Sequence, residues 1–178
     1  MHPSTTDNIE TAVDPVDLAA VAVQLGRQPR GVVEVAHRCP CGWADVVRTL
    51  PRLPGDDMPF PTTYYATCPR LTGAISTLES QGMMREMTEQ LANDSKLAVA
   101  YRAAHEDYLR RRGELGGVLE IDGISAGGMP DRIKCLHVLV AHSLAVGSGI
   151  NPLGDQALVA LSQWWNKGRC VSRSTLLA

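Results

Sequence analysis

The sequence predicts an α+β fold, with a small N-terminal strand region packed on a mainly helical domain of four to five helices. Three observations carry this. Two β-branched runs, "RGVVEVAH" and "DVVRTLPRL", flank the turn-rich "RCPCGWA". From residue 69 onward, apolar residues recur at helical spacing between cap and breaker residues. The chain of 178 residues has one Phe beside four Tyr and three Trp, so its core rests on aliphatic and alanine contacts, which favour helices.

The elements follow in order. "DPVDLAAVAVQLGR" reads as a helix capped by Asp14, opened by Pro15 and closed by Gly26, with Leu18, Val21, Ala22 and Leu25 on one face. The two strands come next, joined at Pro40 and Gly42. The proline-rich "PGDDMPFPT" is a loop, and "TYYATCPR" a short extended segment. Helices are expected over "PRLTGAISTLESQG", "MREMTEQLAND" and "DSKLAVAYRAAHEDYLRRRGEL", the last with a basic end suited to a helix C-terminus. After a glycine-containing connection, "MPDRIKCLHVLVAHSLAVG" reads as one apolar helix and "DQALVALSQWWNKG" as the last. Residues 1–13 are expected as a disordered tail, 14–171 as a single domain and 172–178 as a C-terminal tail.

Composition excludes several function classes. A formal net charge of −2 leaves no general nucleic-acid footprint. The N-terminus lacks the basic and apolar regions of a secretory signal. No run of about 18 apolar residues is present to span a membrane. The expectation is a cytoplasmic protein, whose thiols stay reduced. Five cysteines, an odd number, also argue against a closed disulfide set.

Cys39, Cys41 and Cys68 each stand at a turn beside proline or glycine, where several thiolates can converge. Tetrahedral zinc and iron–sulfur clusters need that convergence. The candidate ligand set is Cys39, Cys41, Cys68 and Cys135, with His142, His37 and Cys170 in reserve. In one continuous helix, Cys135 and His142 share a face, whereas His137 points about 160° away from Cys135 by the helical step. His105 reads as a solvated helix residue. Zinc or an iron–sulfur cluster is the cofactor this set calls for.

A second constellation is "SAGGMPDRIK", where two glycines precede an expected helix start. Free amides at a helix N-terminus attract anions, and glycine lets a ligand approach closely. Ser125, Gly127, Gly128 and Arg132 are therefore candidates for binding an anionic or phosphorylated small molecule, with Cys135 or His137 as nucleophile or base. Neither phosphate-binding glycine fingerprint is present. A third alternative is a protein-interaction module, with Met83, Met84, Met87, Trp164 and Trp165 as an apolar docking face. "SGINPLGDQAL" reads as a structural turn, with Asn151 a cap, Pro152 the first helical residue and Gly154 a loosening element.

Four segments, "HRCPCGWADVV", "PFPTTYYATCPRL", "MREMTEQL" and "SAGGMPDRIKCLHVLVAHSLAVGSGINPLGD", resemble the bacterial, mainly actinobacterial, family known as domain of unknown function 501. The resemblance spans about residues 16–171 and implies a small cytosolic bacterial protein. It brings no reaction, cofactor or catalytic residue with it. The leading functional expectation is metal binding through the cysteines.

Overall fold

The computed structural model describes residues 13–176. Residues 1–12 lie outside it, and with them nearly all of the expected N-terminal tail; Val13 is buried. The fold is α+β. Among the described residues are helices α1 (Pro15–Leu25), α2 (Pro69–Ser80), α3 (Met83–Asn93), α4 (Ser95–Gly113), α5 (Leu136–Val146), α6 (Pro152–Ala160) and α7 (Arg173–Leu176). Strands β1 (Val32–Arg38), β2 (Ala44–Thr49) and β3 (Tyr64–Ala66) form one antiparallel sheet in that order. No described helix is long and apolar enough to cross a membrane.

Local chemistry sets most boundaries. Asp14 accepts the Val16 amide at 2.8 Å, Pro15 opens α1, and Gly26 ends it in the left-handed region at φ 66°. Asp94 accepts the amides of Lys96 and Leu97 at the start of α4. Asn151 does the same for Gly154 at the start of α6. Each cap satisfies amides that the helix cannot.

The sheet has a covered face on each side. Val21 of α1 packs with Val32, Ala44 and Val47 in a small cluster. On the other side, Val46 and Tyr64 join the main core with Leu71, Ile75, Tyr101, Leu136 and Leu139. Strand β2 is therefore buried on both faces, which its Val-Val centre suits. Helix α5 is the hub of the main core, and seven of its residues are buried.

Three sequence expectations are corrected. Seven α-helices stand among the described residues against the four to five expected, partly because residues 173–176, expected as tail, form α7. The helix expected from Met129 begins at Leu136, because residues 125–134 fold back on themselves. There Lys134 N donates to Gly127 O at 2.7 Å and Arg132 N to Gly128 O at 3.1 Å. The expected last helix starts at Pro152, as its cap and proline predict, but stops at Ala160, short of the tryptophans. Leu161 is extended, and Trp164–Lys167 form a separate 3₁₀ turn that seats Trp164 in the core.

Gly154 does not loosen α6. A Cβ there would lie 2.3 Å from Leu139 O and 2.3 Å from Ser143 Oγ. The glycine is what lets α6 press against α5.

Candidate metal centre

The β1–β2 connection is a tight knuckle. Cys39 N donates to Trp43 O at 2.9 Å and Gly42 N to Cys39 O at 2.8 Å. Gly42 takes φ 96°, a conformation that favours glycine. The turn aims the Cys41 amide at the Cys39 sulfur, 3.4 Å away. Cys68, at the end of the β3 segment, is the N-cap of α2 and is almost fully buried.

The fourth thiol here is Cys170, not Cys135. The chain just before α7 is tied down on three sides. Arg70 donates to Gly168 O at 2.7 Å and to Arg169 O at 3.2 Å. Trp43 Nε1 donates to Val171 O at 2.8 Å. Gln24 Nε2 of α1 donates to Cys170 Sγ at 3.2 Å. The Cys170 thiol thereby comes near those of Cys68 and Cys41, and Cys41 lies near Cys39.

The electrostatics follow from that contact. The Cys68 hydrogen bond draws the Cys170 thiol down to about 6 against the cost of burial, helped by Gln24 and Cys41. Its partner Cys68 moves the other way, held up by the same Cys170 contact and by burial. The amides of Leu71 and Arg70 at the start of α2 favour the Cys68 thiolate without reversing that. Burial pushes Cys39 up to about 12, although the Cys41 amide opposes it. The pair Cys68 and Cys170 therefore shares one easily lost proton and one tightly held one.

Cys135 lies at a different place. It is the N-cap of α5, and its neighbours are His137 and Glu79. His137 Nδ1 stands 3.8 Å from Cys135 Sγ and 3.3 Å from Glu79 Oε1. Glu79 Oε1 also accepts the Leu136 amide at 2.8 Å, which caps α5. Burial raises the Cys135 thiol, but the His137 ring and the Val138 amide outweigh it, leaving it below the ordinary thiol value. His137 is raised, first by Cys135, against desolvation, and then by Glu79. Among the described residues, Glu79, Cys135 and His137 are the one set of His, Cys, Asp or Glu whose ligand atoms all lie within 4.8 Å of one another. The four thiols at the hairpin end instead form a chain of neighbours, Cys39 to Cys41 to Cys170 to Cys68.

The reserve histidines serve elsewhere. His142 is fully buried and binds Asp107 Oδ2 through Nε2 at 3.0 Å, with Asn151 Nδ2 3.3 Å from its Nδ1. It stacks on Tyr64 with ring centroids 5.8 Å apart. His37 Nδ1 pairs with the buried carboxylate of Asp45 at 2.7 Å. The expected Cys135–His142 face does not form because Cys135 precedes the helix; the ring that meets the sulfur is that of His137. His105, expected as a solvated residue, is part-buried and bonds Ser125 Oγ at 2.9 Å.

The loop expected to hold an anion is placed differently from its premise. Gly127 and Gly128 lead into a closed turn rather than a helix start. Ser125 is buried, its hydroxyl engaged by His105 and Met129 O. A Cβ on Gly128 would meet Arg132 O at 2.7 Å, so close packing of the loop on itself accounts for that glycine. Arg132 is exposed. Met87 and Trp164 are buried in the main core, with Met83, Met84 and Trp165 packed against it.

The sequence reading missed Gln24, Glu79 and the arrival of Cys170. Trp43 and Arg70 were the available signals for Cys170, since a half-buried Trp and a helix-start Arg both seek carbonyl partners.

The fold and these thiols define a small α+β domain with two separate cysteine-centred polar sites. The chain belongs to a family described as protein of unknown function (DUF501), whose model matches residues 35–159. No curated protein and no solved structure matches the chain.

Proposed function

We propose that this protein binds a thiophilic metal through Cys39, Cys41, Cys68 and Cys170, with zinc in the first place and an iron–sulfur cluster as the alternative occupant. The observation that carries the reading is the delivery of Cys170 to the Cys68 and Cys41 thiols by three tethers from α1, the hairpin and α2. A free thiol in a plain core has no need of such placement. The Cys41 amide directed at the Cys39 sulfur and the nearby α2 amides that favour the Cys68 thiolate support it further, because a metal requires the thiolate.

Four protein thiolates leave no open position on a tetrahedral ion, so the role is structural. The metal would clamp the hairpin, the start of α2 and the C-terminal segment together. Zinc–sulfur bonds of about 2.3 Å require the four sulfurs to converge further than their present chain of contacts. Metal binding would then draw the segments inward and be coupled to folding.

The test is to express the full chain without oxygen, then record its absorbance and elemental content. One zinc per chain in a colourless sample supports the structural reading. A brown sample with iron and sulfide selects the cluster. Metal-free protein whose five thiols all titrate after unfolding ends the proposal.

A further inference from the structure

We propose a second metal site, made by Cys135, His137 and Glu79 and holding a zinc-class divalent ion with one coordination position open to the adjoining cleft. It is separate from the four-thiol site and does not depend on it.

The argument starts from the imidazole. His137 Nε2 lies 3.2 Å from Thr72 O and 3.5 Å from Ser76 Oγ. A carbonyl can only accept, so Nε2 carries the hydrogen and the neutral ring presents a bare lone pair at Nδ1. That lone pair faces Glu79 Oε1 at 3.3 Å and Cys135 Sγ at 3.8 Å. Three electron-pair donors thus converge, two of them anionic once the thiol ionises. Such a set is held together either by a proton on Nδ1 or by a metal cation at its centre, and the second is the proposal. A ligating histidine whose other nitrogen donates to a backbone carbonyl is the usual support of a metal site, because it fixes the tautomer and the ring plane.

A catalytic triad would be built differently. There the carboxylate orients the ring from one nitrogen while the nucleophile meets the other. Here carboxylate and sulfur share Nδ1, and the far nitrogen belongs to Thr72. The geometry is that of ligands around a point.

The open position follows from the surroundings. A cleft of ≈ 400 Å³ is lined by Tyr64, Tyr65, Thr72, Cys135, His137 and Val138. Cys135 and His137 line it, whereas Glu79 lies outside the lining and accepts the Leu136 amide. Three protein ligands and an open side match sites that activate a bound water or a small Lewis base, in contrast to the closed four-thiol arrangement.

The probe is cobalt(II), added to the full-length protein as purified, with bound metal counted by elemental analysis. Wild type should hold one more equivalent than His137→Ala, and the difference should carry the charge-transfer absorption of a thiolate ligand. Cys68→Ser should leave that equivalent in place. Alkylation of Cys135 by iodoacetamide, mapped on its peptide in the wild-type chain, should slow when cobalt is present. This last measurement needs no variant to fold. Equal metal content in wild type and His137→Ala, with Cys135 alkylated at the same rate with and without cobalt, overturns the proposal and leaves an imidazolium–thiolate pair. A single equivalent lost with Cys68→Ser and kept with His137→Ala overturns this site alone. A single equivalent with the opposite dependence upholds it and removes the four-thiol reading.

Discussion

Cys68 and Cys135 occupy the same local position and meet different fates. Each is the N-cap of a helix, α2 for one and α5 for the other. Each has backbone amides of its helix favouring the ionised sulfur, Leu71 and Arg70 for Cys68 and Val138 for Cys135. Yet Cys68 is sealed in the core against another thiol, and Cys135 opens onto a cleft beside a ring and a carboxylate. The contrast teaches that a helix start readies a thiol, while the residues brought to it from elsewhere decide what the thiol is for. The hairpin end gathers thiols alone and suits a closed, structural role. The α5 end gathers three different donors and leaves a side open.

The largest break in this contrast is Cys68→Ser. If the hairpin end is metal-clamped, the variant loses the metal along with its share of folding energy. Loss of a structural metal is among the few single changes that exceed about 4 kcal/mol. Denaturant unfolding of wild type and variant, with metal content measured on the same samples, checks it. A small change in midpoint with metal retained would place Cys68 outside the ligand set.

Gly154→Ala comes next and acts on the frame of the other end. The new methyl would sit 2.3 Å from a carbonyl oxygen of α5, which cannot swing away. Overpacking of this kind costs about 1–3 kcal/mol, and a backbone obstacle puts this case at the upper end. Thermal unfolding reads it directly. Metal at the four-thiol end should persist in the folded fraction, since α6 contributes none of those ligands.

These two cases also mark what could be read without the structure. The hairpin around "RCPCGWA", the caps Asp14 and Asn151 and the start of α2 at Pro69 were legible, because each rests on neighbours in sequence. Cys39, Cys41 and Cys68 were legible as candidates for the same reason. Cys170 was legible only as a reserve and Glu79 not at all, because their roles depend on tethers such as Gln24, Arg70 and Leu136 that lie far away in the chain. Cys135 stands apart from the other three candidates for one local reason. An apolar pattern was extended seven residues too far toward the N-terminus, across a glycine turn. Once Cys135 is seen to precede the helix, the step that set His137 on the opposite face no longer applies.

His142 gives a smaller and pH-dependent test of the core that joins the two ends. Burial holds its pKa below the ordinary 6.5, against the hydrogen bond that Nε2 donates to Asp107, with Arg111 also lowering it and Asp155 raising it. The unfolded chain therefore takes up this proton first as pH falls. The stability is fully present above the unfolded value and is lost as pH drops from there toward the folded pKa. The slope is at most about 1.4 kcal/mol per pH unit for one proton. His142→Gln should cost about 1–3 kcal/mol at pH 8 through lost ring packing and the ring partner of Asn151, since Asp107 keeps Arg110 and Arg111, and should flatten stability between pH 6.5 and the acid limb relative to wild type. Equal slopes in the two proteins would assign the acid sensitivity elsewhere, to protonation of the thiols first.

Cys135→Ser sharpens the opening comparison at the lowest cost. Serine is a preferred N-cap, and its hydroxyl can accept an amide of the first turn. It should therefore serve α5 at least as well as the thiol does, where the Val138 amide already leans on the sulfur. The site is part-buried, so little packing is lost. With the α5 site free of metal, the expected change in stability is within about 0.5 kcal/mol of zero, although the sulfur ligand is gone. Serine is an equally good cap at position 68, yet the same substitution there is expected to be severe. Two chemically identical changes at two N-caps would then differ only through what surrounds them. Unfolding curves of both variants, set side by side, measure that difference. Matching losses would remove the contrast between the two N-caps, and metal content measured on the same samples would tell lost ligands from lost packing.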